Sequence, residues 1–380
     1  MCRMPDPADR PADRPDQRPD QRPAGPQPRA ALAAVPAYVA GKPPTLRPGL
    51  TSYKLSSNEN PFPPLPGVLE AVTAAAEALN RYPDMGSRAL YDALAERLDV
   101  PTSDLAAATG SVALLYHLVQ AFCEPGDEVL HAWRSFEAYP IAAAVCGARS
   151  VQVPLTADGR HDLDAMLAAV TDRTRVLLVC TPNNPTGPAV GHTELAAFVA
   201  RVPPHVVVVV DEAYREFVRR DDPVDALALY HRHRNVVVSR TFAKAYGLAG
   251  LRVGYLVADE PVAAAVRACA LPFGVSGVAQ AAAVAALEAQ TAVTERVEAI
   301  VAERDRVLAG LREHGWSVPD ADGNFVWFPV GEDTPRFAAA AEEQGIGVRP
   351  YGTDGVRVTI GEPGANDVLL RVAAAFRPIR

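Results

Sequence analysis

Short runs of β-branched residues alternate with longer segments of helical spacing through the middle of the chain. The clearest runs are Val151–Leu155, Val176–Cys180, Val206–Val210, Val236–Val238 and Val253–Val257. Most of these runs are continuously apolar rather than alternating, which is typical of strands covered on both faces. Because such strands alternate with helices here, we predict an α/β domain with a mostly parallel sheet.

Helical spacing and turn residues predict further elements on either side of these runs. Before them we expect helices at Val68–Leu79, Ser87–Leu98 and Val112–Phe122, and a strand at Glu128–Trp133. After them we expect alanine-rich helices within Pro261–Ala270 and Gln280–Leu311. A smaller α+β domain is predicted from strands at Phe325–Pro329 and Val356–Ile360 and helices near Thr334–Gln344 and Asn366–Phe376.

The beginning of the chain differs in composition from the rest. Residues 7–22 repeat Pro-Ala-Asp-Arg twice and Pro-Asp-Gln-Arg twice, and residues 1–30 contain no aromatic residue, Leu, Ile or Val. Such a segment has little apolar surface to bury against the entropy cost of ordering it. We predict a disordered tail over 1–30, an arm and part of the small domain over 31–58, a large domain over 59–260, and an interdomain helix with the small domain over 261–380. A short helix is expected in the arm at Leu32–Tyr38.

Composition and charge narrow the class of protein. Of 380 residues, 49% are hydrophobic and 22% are charged, which is ordinary for a soluble enzyme. The net charge of −8 disfavours nucleic acid or an anionic membrane as a partner. The five cysteines have no metal-ligand or CxxC spacing, and there is no secretory h-region or bilayer-spanning run. We therefore expect a cytoplasmic enzyme without a metal site.

The stretch from Ser239 to Tyr255 carries the most informative chemistry. It holds one lysine, Lys244, between two predicted buried strands, and Arg252 follows eight positions later. A lysine in this setting suits a covalent imine with a cofactor aldehyde, and the arginine suits a phosphate. Alone, Lys244 would be interpreted as a surface residue, because lysines are rarely buried.

Two further motifs follow predicted strands. Thr181–Gly187 comes after Val176–Cys180, and Asp211–Tyr214 comes after Val206–Val210. Sites in α/β sheets lie at the carboxyl ends of the strands, so both motifs and the lysine are expected at one edge. Asp211 could pair with a pyridinium nitrogen, which is the kind of partner that a buried carboxylate requires. A helix cap for Asp211 and a simple turn for the other motif are the structural alternatives.

The order of the motifs indicates a family. Asn184-Pro-Thr-Gly187, Asp211-Glu-Ala-Tyr214 and Ser239-x4-Lys244-x7-Arg252 resemble fold-type I pyridoxal-phosphate aminotransferases. Asn58-Glu-Asn-Pro61, Arg81-Tyr-Pro-Asp84 and Arg357-Val-Thr-Ile-Gly361 are similar to the histidinol-phosphate aminotransferase-like branch. The resemblance covers roughly residues 50–361. It implies a large domain with a mostly parallel seven-stranded sheet between helices, a smaller α+β domain, and pyridoxal 5′-phosphate as the cofactor.

The resemblance also implies roles around the cofactor ring. Lys244 would carry the cofactor as an imine and would then shuttle the proton that leaves the substrate Cα. Asp211 would pair with the pyridine nitrogen, and Asn184 and Tyr214 would contact the ring oxygen. Phe136 would stack on the ring face, where the histidinol-phosphate enzymes have a tyrosine.

The phosphate is expected at the start of the helix that Ser111 opens, where free amides and the helix dipole favour an anion. Gly110 and Ser111 would supply donors, Arg252 the charge, and Thr241 a further contact. Ala243 departs from many relatives, which have serine just before the lysine. We therefore expect one phosphate hydroxyl to be missing.

A tyrosine of the neighbouring subunit completes the phosphate site in the family. Tyr82 occupies that position here, which implies an obligate homodimer. Without the family, Tyr82 would be interpreted as a core tyrosine before a proline turn.

Three residues are assigned to the substrate through the same resemblance. Arg357 would hold the α-carboxylate bidentately, and Asn60 is assigned to substrate binding beside it. Arg349 would contact the substrate side chain or a second carboxylate, with a surface salt bridge as an equal alternative.

The substrate remains open between two readings of the family. The segments Arg134–Pro140, Val348–Tyr351 and Gly355–Gly361 look more like the actinobacterial aromatic-amino-acid aminotransferases. Aromatic side chains are also expected at the entrance: Tyr38, Phe62, Phe136 and Tyr351.

We therefore predict transfer of an amino group between an aromatic L-amino acid such as phenylalanine and a 2-oxo acid such as 2-oxoglutarate. The first alternative is a histidinol-phosphate aminotransferase of histidine biosynthesis. A related decarboxylase and a non-catalytic regulator on the same fold rank below these.

Overall fold

The computed structural model describes residues 25–377, so most of the predicted tail, residues 1–24, lies outside the described residues. In the arm, a 3₁₀ helix spans Ala30–Ala34, and regular structure next appears at strand β1 (Tyr53–Lys54). The helix predicted at Leu32–Tyr38 is therefore wrong beyond residue 34. Pro36, two residues past that point, lacks the amide hydrogen that a continuing helix would use.

Seven strands form one sheet in the middle of the chain. They are β2 (Leu105–Ala108), β3 (Glu128–Trp133), β4 (Arg149–Pro154), β5 (Thr174–Cys180), β6 (Val207–Asp211), β7 (Val236–Thr241) and β8 (Gly254–Val257). Their order in space is β2-β8-β7-β6-β5-β3-β4. β8 runs antiparallel to both its neighbours, and all other pairs are parallel. The predicted α/β class and mostly parallel seven-stranded sheet are confirmed.

Helices connect the strands and cover both faces of the sheet. They are α1 (Val68–Ala76), α2 (Arg88–Leu98), α3 (Ser111–Phe122), α4 (Ala138–Cys146), α5 (Leu163–Ala168), α6 (His192–Val199), α7 (Ala226–Arg232) and α8 (Glu260–Cys269). Val207 and Val209 of β6 pack in the cluster that contains α3, α4 and α8. Val208 and Val210 pack in the cluster that contains α5, α6 and α7. Because both faces are covered, the four successive positions Val207–Val210 of β6 are all apolar.

The C-terminal part begins with two helices, α9 (Gly277–Glu288) and α10 (Gln290–Glu313). It continues with β9 (Phe325–Phe328), α11 (Thr334–Glu343), β10 (Ile346–Gly347), β11 (Arg349–Tyr351), β12 (Gly355–Thr359) and α12 (Pro363–Ala375). β9, β12 and β11 form an antiparallel sheet. β1 pairs in parallel with β10, so the N-terminal arm joins this part of the protein.

Many helices cover the sheet, but their number alone does not make any of them a membrane-spanning segment. Within residues 25–377, no helix combines the length and apolar character that crossing a bilayer requires. The domain boundaries given above stay a prediction.

Candidate active site

The carboxyl ends of the central strands meet at one point of the sheet. Asp211, the last residue of β6, lies between Cys180 of β5 and Ser239 of β7 in the strand register. A cavity of about 210 Å³ opens beyond this edge. Among the residues that line it are Tyr38, Ser57, Ser111, Phe136, Glu137, Asn184, Asp211, Tyr214, Thr241, Lys244, Arg252, Arg349, Tyr351 and Arg357. The structure thus brings together the predicted site residues, except that Asn60, Phe62, Tyr82 and Gly110 are not among the lining residues.

Lys244 lies in the loop between β7 and β8 and reaches into this cavity. Its Nζ donates to the carbonyl oxygen of Ser57 at 3.1 Å. The same nitrogen lies 5.7 Å from the ring centroid of Tyr214. Burial, together with the nearby Arg357 guanidinium, lowers the pKa of Lys244 to about 7. A large fraction of this amine is therefore neutral near pH 7, which is the form that attacks a carbonyl.

Asp211 is partly buried, with one oxygen satisfied and the other not. Its Oδ2 accepts a hydrogen bond of 2.8 Å from the hydroxyl of Tyr139. Its Oδ1 is buried and has no hydrogen-bond partner among residues 25–377. Burial raises the pKa of Asp211 to about 6, against the opposing effects of the Tyr139 hydroxyl and the Ala213 amide. A buried acceptor without a partner fits a donating, cationic group such as a protonated pyridine nitrogen.

Tyr214 and Asn184 lie beside these two residues, each held by another side chain. The Tyr214 hydroxyl oxygen accepts from Asn58 Nδ2 at 3.0 Å. Burial raises the pKa of Tyr214 well above its usual value, so the phenol is neutral. Asn184 Oδ1 accepts from Arg357 Nη1 at 2.5 Å.

The start of α3 and Arg252 form the positively charged end of the cavity. α3 begins at Ser111 after Gly110, whose φ is 88°. A Cβ at Gly110 would lie 2.6 Å from Arg252 Nη2, so the glycine permits the guanidinium to approach the helix start. Arg252 Nη1 donates to the Ala249 carbonyl at 3.1 Å, which holds the side chain there. Free amides and one guanidinium at a helix N-terminus suit a phosphate.

Thr241 lies at the same end, as the last residue of β7. Its Oγ1 accepts from the amide of Ala243 at 3.1 Å, and both residues line the cavity. The methyl group of Ala243 offers no hydroxyl, as the sequence predicts.

Two buried arginines lie opposite each other on β11 and β12. Arg349 and Arg357 are partners in the strand register. Arg357 Nη2 donates to the Ser56 carbonyl at 2.8 Å, while its buried Nε has no partner within the described part of the chain. Arg349 instead forms an ion pair with Glu137. Arg349 is only 5% exposed, so its salt bridge lies inside the cavity and not on the surface.

Asn60 and Tyr82 lie elsewhere. Asn60 Nδ2 donates to the carbonyl oxygen of Ala245 at 3.0 Å, so its amide contacts the backbone of the lysine loop. Tyr82 is 83% exposed and stacks on Phe273 with ring centroids 4.7 Å apart. It is therefore not the core tyrosine that its sequence context alone suggests.

Three of the four predicted entrance aromatics line the cavity: Tyr38, Phe136 and Tyr351. The fourth, Phe62, instead lies 5.8 Å from the Arg296 guanidinium and is not among the lining residues.

Sequence reasoning missed three polar residues of the site. Tyr139 bonds Asp211, Asn58 bonds Tyr214, and Glu137 pairs with Arg349. No sequence motif indicates which residue each of these three side chains contacts. Tyr139 and Glu137 do lie within three residues of Phe136, just after β3, whose carboxyl end faces the same edge. That proximity is the signal that could have found them.

Comparisons with known proteins agree with this geometry. Residues 52–374 match the family model described as aminotransferase class I and II. The chain is 57% identical to the aromatic amino acid aminotransferase of Streptomyces avermitilis over 93% of this chain and 98% of the relative. It is 52% identical to the enzyme of the same name from Thermobifida fusca, over 92% of this chain and 97% of that relative.

Solved structures are similar over most of the chain. Histidinol-phosphate aminotransferase from Sinorhizobium meliloti, solved in complex with pyridoxal-5′-phosphate, matches with a TM-score of 0.82 and 29% identity, over 93% of this chain and 97% of that one. Aspartate aminotransferase from Thermus thermophilus with maleate matches with a TM-score of 0.76 and 26% identity, over 85% of this chain and 92% of that one. The match across residues 52–374 and the relatives above half identity show that this chain belongs to the class I and II aminotransferases, which depend on pyridoxal phosphate.

Proposed function

We propose that this aminotransferase moves an amino group between an aromatic L-amino acid, phenylalanine or a close analogue, and a 2-oxo acid such as 2-oxoglutarate. One observation carries the choice of substrate. The cavity has an arginine, Arg357, whose Nε has no partner among residues 25–377, and also the aromatic rings of Tyr38, Phe136 and Tyr351. An α-carboxylate and an aromatic side chain would be satisfied by these two features together. The relatives that are more than 50% identical to this chain are named aromatic amino acid aminotransferases.

Pyridoxal phosphate, when bound, supplies the electron sink that makes the substrate Cα–H acidic. Lys244 is the proposed covalent anchor and the base that takes and returns the Cα proton, which its lowered pKa of about 7 supports. Asp211 is proposed to keep the ring nitrogen protonated through its free Oδ1. Asn184 and Tyr214 are proposed to hold the ring oxygen, and Phe136 to pack on the ring face.

The phosphate is proposed to bind at the start of α3. Ser111, Thr241 and Arg252 line that end of the cavity and offer an amide, hydroxyls and a positive charge. Arg357 is proposed to bind the α-carboxylate, which aligns the Cα–H for removal by Lys244. Arg349 is proposed to face the side chain of the substrate. Asn60 is proposed to act on the substrate through the lysine loop, because its amide is bonded to Ala245.

Histidinol phosphate remains the second candidate substrate, because a solved neighbour bears that name and Arg349 could meet a phosphate. The ratio of kcat/KM for phenylalanine and histidinol phosphate decides between them. A higher value for histidinol phosphate would reverse our ordering. Formation of a 2-oxo acid without CO₂ separates both from a decarboxylase.

We also propose a cytoplasmic homodimer in which Tyr82 reaches the partner's phosphate site. Support comes from the surface around Tyr82, where Met85 is 66% and Leu271 is 74% exposed. Exposed apolar side chains grouped in this way are typical of a protein interface.

A half-reaction screen tests the proposed function directly. Purified holoenzyme is mixed with single amino acids, and the loss of its visible absorption band is followed. We expect phenylalanine and tyrosine to bleach the band fastest. Lys244→Ala should lower turnover by at least about a thousandfold, since it removes both the anchor and the base. Wild-type turnover in that variant would overturn the assignment.

A further inference from the structure

Glu137 lines the cavity but has no part in the roles proposed above. It immediately precedes α4 and follows Phe136, and its side chain lines the cavity. Its Oε2 pairs with Arg349 Nη2, and its Oε1 lies 3.9 Å from Arg134 Nη1. The carboxylate of Glu137 would repel the carboxylate of a substrate bound in the same cavity. Its presence there therefore requires an explanation.

Two of the arginines near Tyr351 are paired with carboxylates. Arg349 and Arg134 lie with their guanidinium carbons 5.0 Å and 5.7 Å from the Tyr351 ring centroid. Glu137 pairs with Arg349, and Asp354 accepts from Arg134 Nε at 2.7 Å. The guanidinium carbon of Arg357 also lies 5.7 Å from this centroid. Two of the three arginines around the ring are therefore matched by carboxylates, and Arg357 carries the remaining positive charge.

Arg357 contrasts with Arg349, although the two face each other across the strands. The contacts of Arg357 are to the neutral Asn184 amide and the Ser56 carbonyl, and it forms no ion pair within residues 25–377. Its positive charge is thus available to a ligand, whereas that of Arg349 is already matched by Glu137. One cavity presents one free and one neutralised arginine.

We propose that Glu137 is a specificity-determining residue that holds Arg349 neutralised, so that the cavity favours neutral aromatic side chains over side chains with a second anionic group. This inference rests on the proposed function and deepens it. A distal carboxylate or phosphate must compete with Glu137 for Arg349, while a phenyl ring can pack on Tyr351 and leave the ion pair intact. A dicarboxylic 2-oxo acid such as 2-oxoglutarate must therefore compete with Glu137 for Arg349 each time it binds.

The test compares two acids that cannot react because they have no amino or oxo group. Each has one carboxylate for Arg357, and the other end is a phenyl ring in 3-phenylpropanoate and a second carboxylate in glutarate. Their dissociation constants for the holoenzyme are measured by calorimetry at fixed ionic strength, because salt screens charge effects. We expect Glu137→Gln to tighten glutarate binding by about tenfold or more, because Arg349 becomes free to make a charge-assisted bond. Binding of 3-phenylpropanoate should change by less than about threefold.

Two controls keep the result specific. Asp164→Asn removes an exposed carboxylate that pairs with Arg201 away from the cavity, so it should not alter the glutarate preference. In an Arg349→Gln background, Glu137→Gln should lose most of its effect on glutarate, because the partner through which it acts is gone. Glu137→Asp should keep the wild-type preference if its shorter carboxylate still meets Arg349, and thermal melts confirm that each variant is folded.

An equal change for both acids in Glu137→Gln, or an unchanged effect in the Arg349→Gln background, would overturn the inference. The binding measurements test the role of Glu137 independently of the proposed substrate. Absence of phenylalanine turnover in the wild-type enzyme would refute the proposed substrate, while the glutarate preference would still decide the role of Glu137.

Discussion

Asp211 illustrates how a functional residue can oppose folding. Its Oδ1 is buried without a hydrogen-bond partner in the described chain, while its Oδ2 accepts from the Tyr139 hydroxyl. Burial raises its pKa from 3.8 to about 6, so the ionised form destabilises the folded apoenzyme. Proteins retain such groups where activity requires them, at the expense of stability.

We predict that Asp211→Asn stabilises the apoenzyme at pH 7.5 by roughly 2–3 kcal/mol, the order expected from a shift of about two pKa units. The folded-state pKa is raised, so the wild type loses stability as pH rises from about 3.8 to about 6, and the difference should vanish near pH 4. Urea unfolding of both proteins at the two pH values measures it. Asp221→Asn, at an exposed position, should show no such change. A less stable variant at pH 7.5 would contradict the prediction.

Gly110 is the second residue whose chemistry follows from its surroundings. Its φ is 88°, and an added Cβ would lie 2.6 Å from Arg252 Nη2. We predict that Gly110→Ala displaces the guanidinium and weakens pyridoxal-phosphate binding by about tenfold or more. Binding of pyridoxal, which lacks the phosphate, should change much less.

Gly315 provides the matched control for this substitution. Its φ is 82°, but no atom lies within 4 Å of an added Cβ. Gly315→Ala therefore also places an alanine at a positive φ, but without the collision at Arg252. Fluorescence titration of apoenzyme should show wild-type cofactor affinity for this variant. Equal weakening in both variants would show that strain, not the phosphate site, is responsible.

At the scale of elements, the loop between β7 and β8 is held from outside the large sheet. Asn60 donates to the carbonyls of Lys244 and Ala245 at 3.4 Å and 3.0 Å. We predict that Asn60→Ala lowers kcat by about tenfold and changes the KM for phenylalanine less than threefold, because the lysine loop loses its anchor. Steady-state kinetics separate this from direct substrate binding, which would raise KM instead.

Asn60→Asp sharpens the same experiment. An aspartate can still accept from the amide of Phe62, as Asn60 Oδ1 does at 3.0 Å, but it cannot donate to the loop carbonyls. It should therefore behave like Asn60→Ala. Wild-type kinetics in Asn60→Asp would show that the bonds to the loop carry no function.

The elements predicted best from sequence are those with strong periodicity. β3 is found at Glu128–Trp133 as predicted, and the valine-rich runs correspond to β4–β8. β2 was not predicted, because Leu105–Ala108 consists mostly of alanine, which lacks the β-branched signal of a strand. β1 and β10 have two residues each and were also missed, since so short a pattern has no period.

The site divides in a similar way. The positions of Asn184, Asp211 and Lys244 at one edge of the sheet could be predicted, because each follows a parallel strand. Strand direction determines at which edge the residues after a strand lie. The partners of these residues were not predictable. Asn58 meets Tyr214, and Tyr139 meets Asp211, across separations of 156 and 72 residues. Contacts of that kind depend on how the helices pack, which local patterns do not encode.

At the scale of the whole molecule, the single chain leaves Tyr82 without a function. Its ring is 83% exposed beside Phe273, away from the cavity of its own chain. If Tyr82 serves the site of a second chain, a variant impaired at Tyr82 and a variant without Lys244 should restore each other. A Lys244→Ala chain still offers Tyr82, and a Tyr82→Phe chain still offers Lys244, so their hybrid dimer contains one complete site.

We predict that Tyr82→Phe alone lowers cofactor affinity and activity, while its stack on Phe273 is retained because the ring is unchanged. After unfolding and refolding an equimolar mixture with Lys244→Ala, random pairing makes half of the dimers hybrids, each with one complete site. Activity should rise to about a quarter of the wild-type value per chain, well above the mean of the two parents. Light scattering of the mixture verifies the dimer. Activity that stays at the parental mean would instead assign Tyr82 to its own chain or to the surface, and each subunit would then work with its own residues alone.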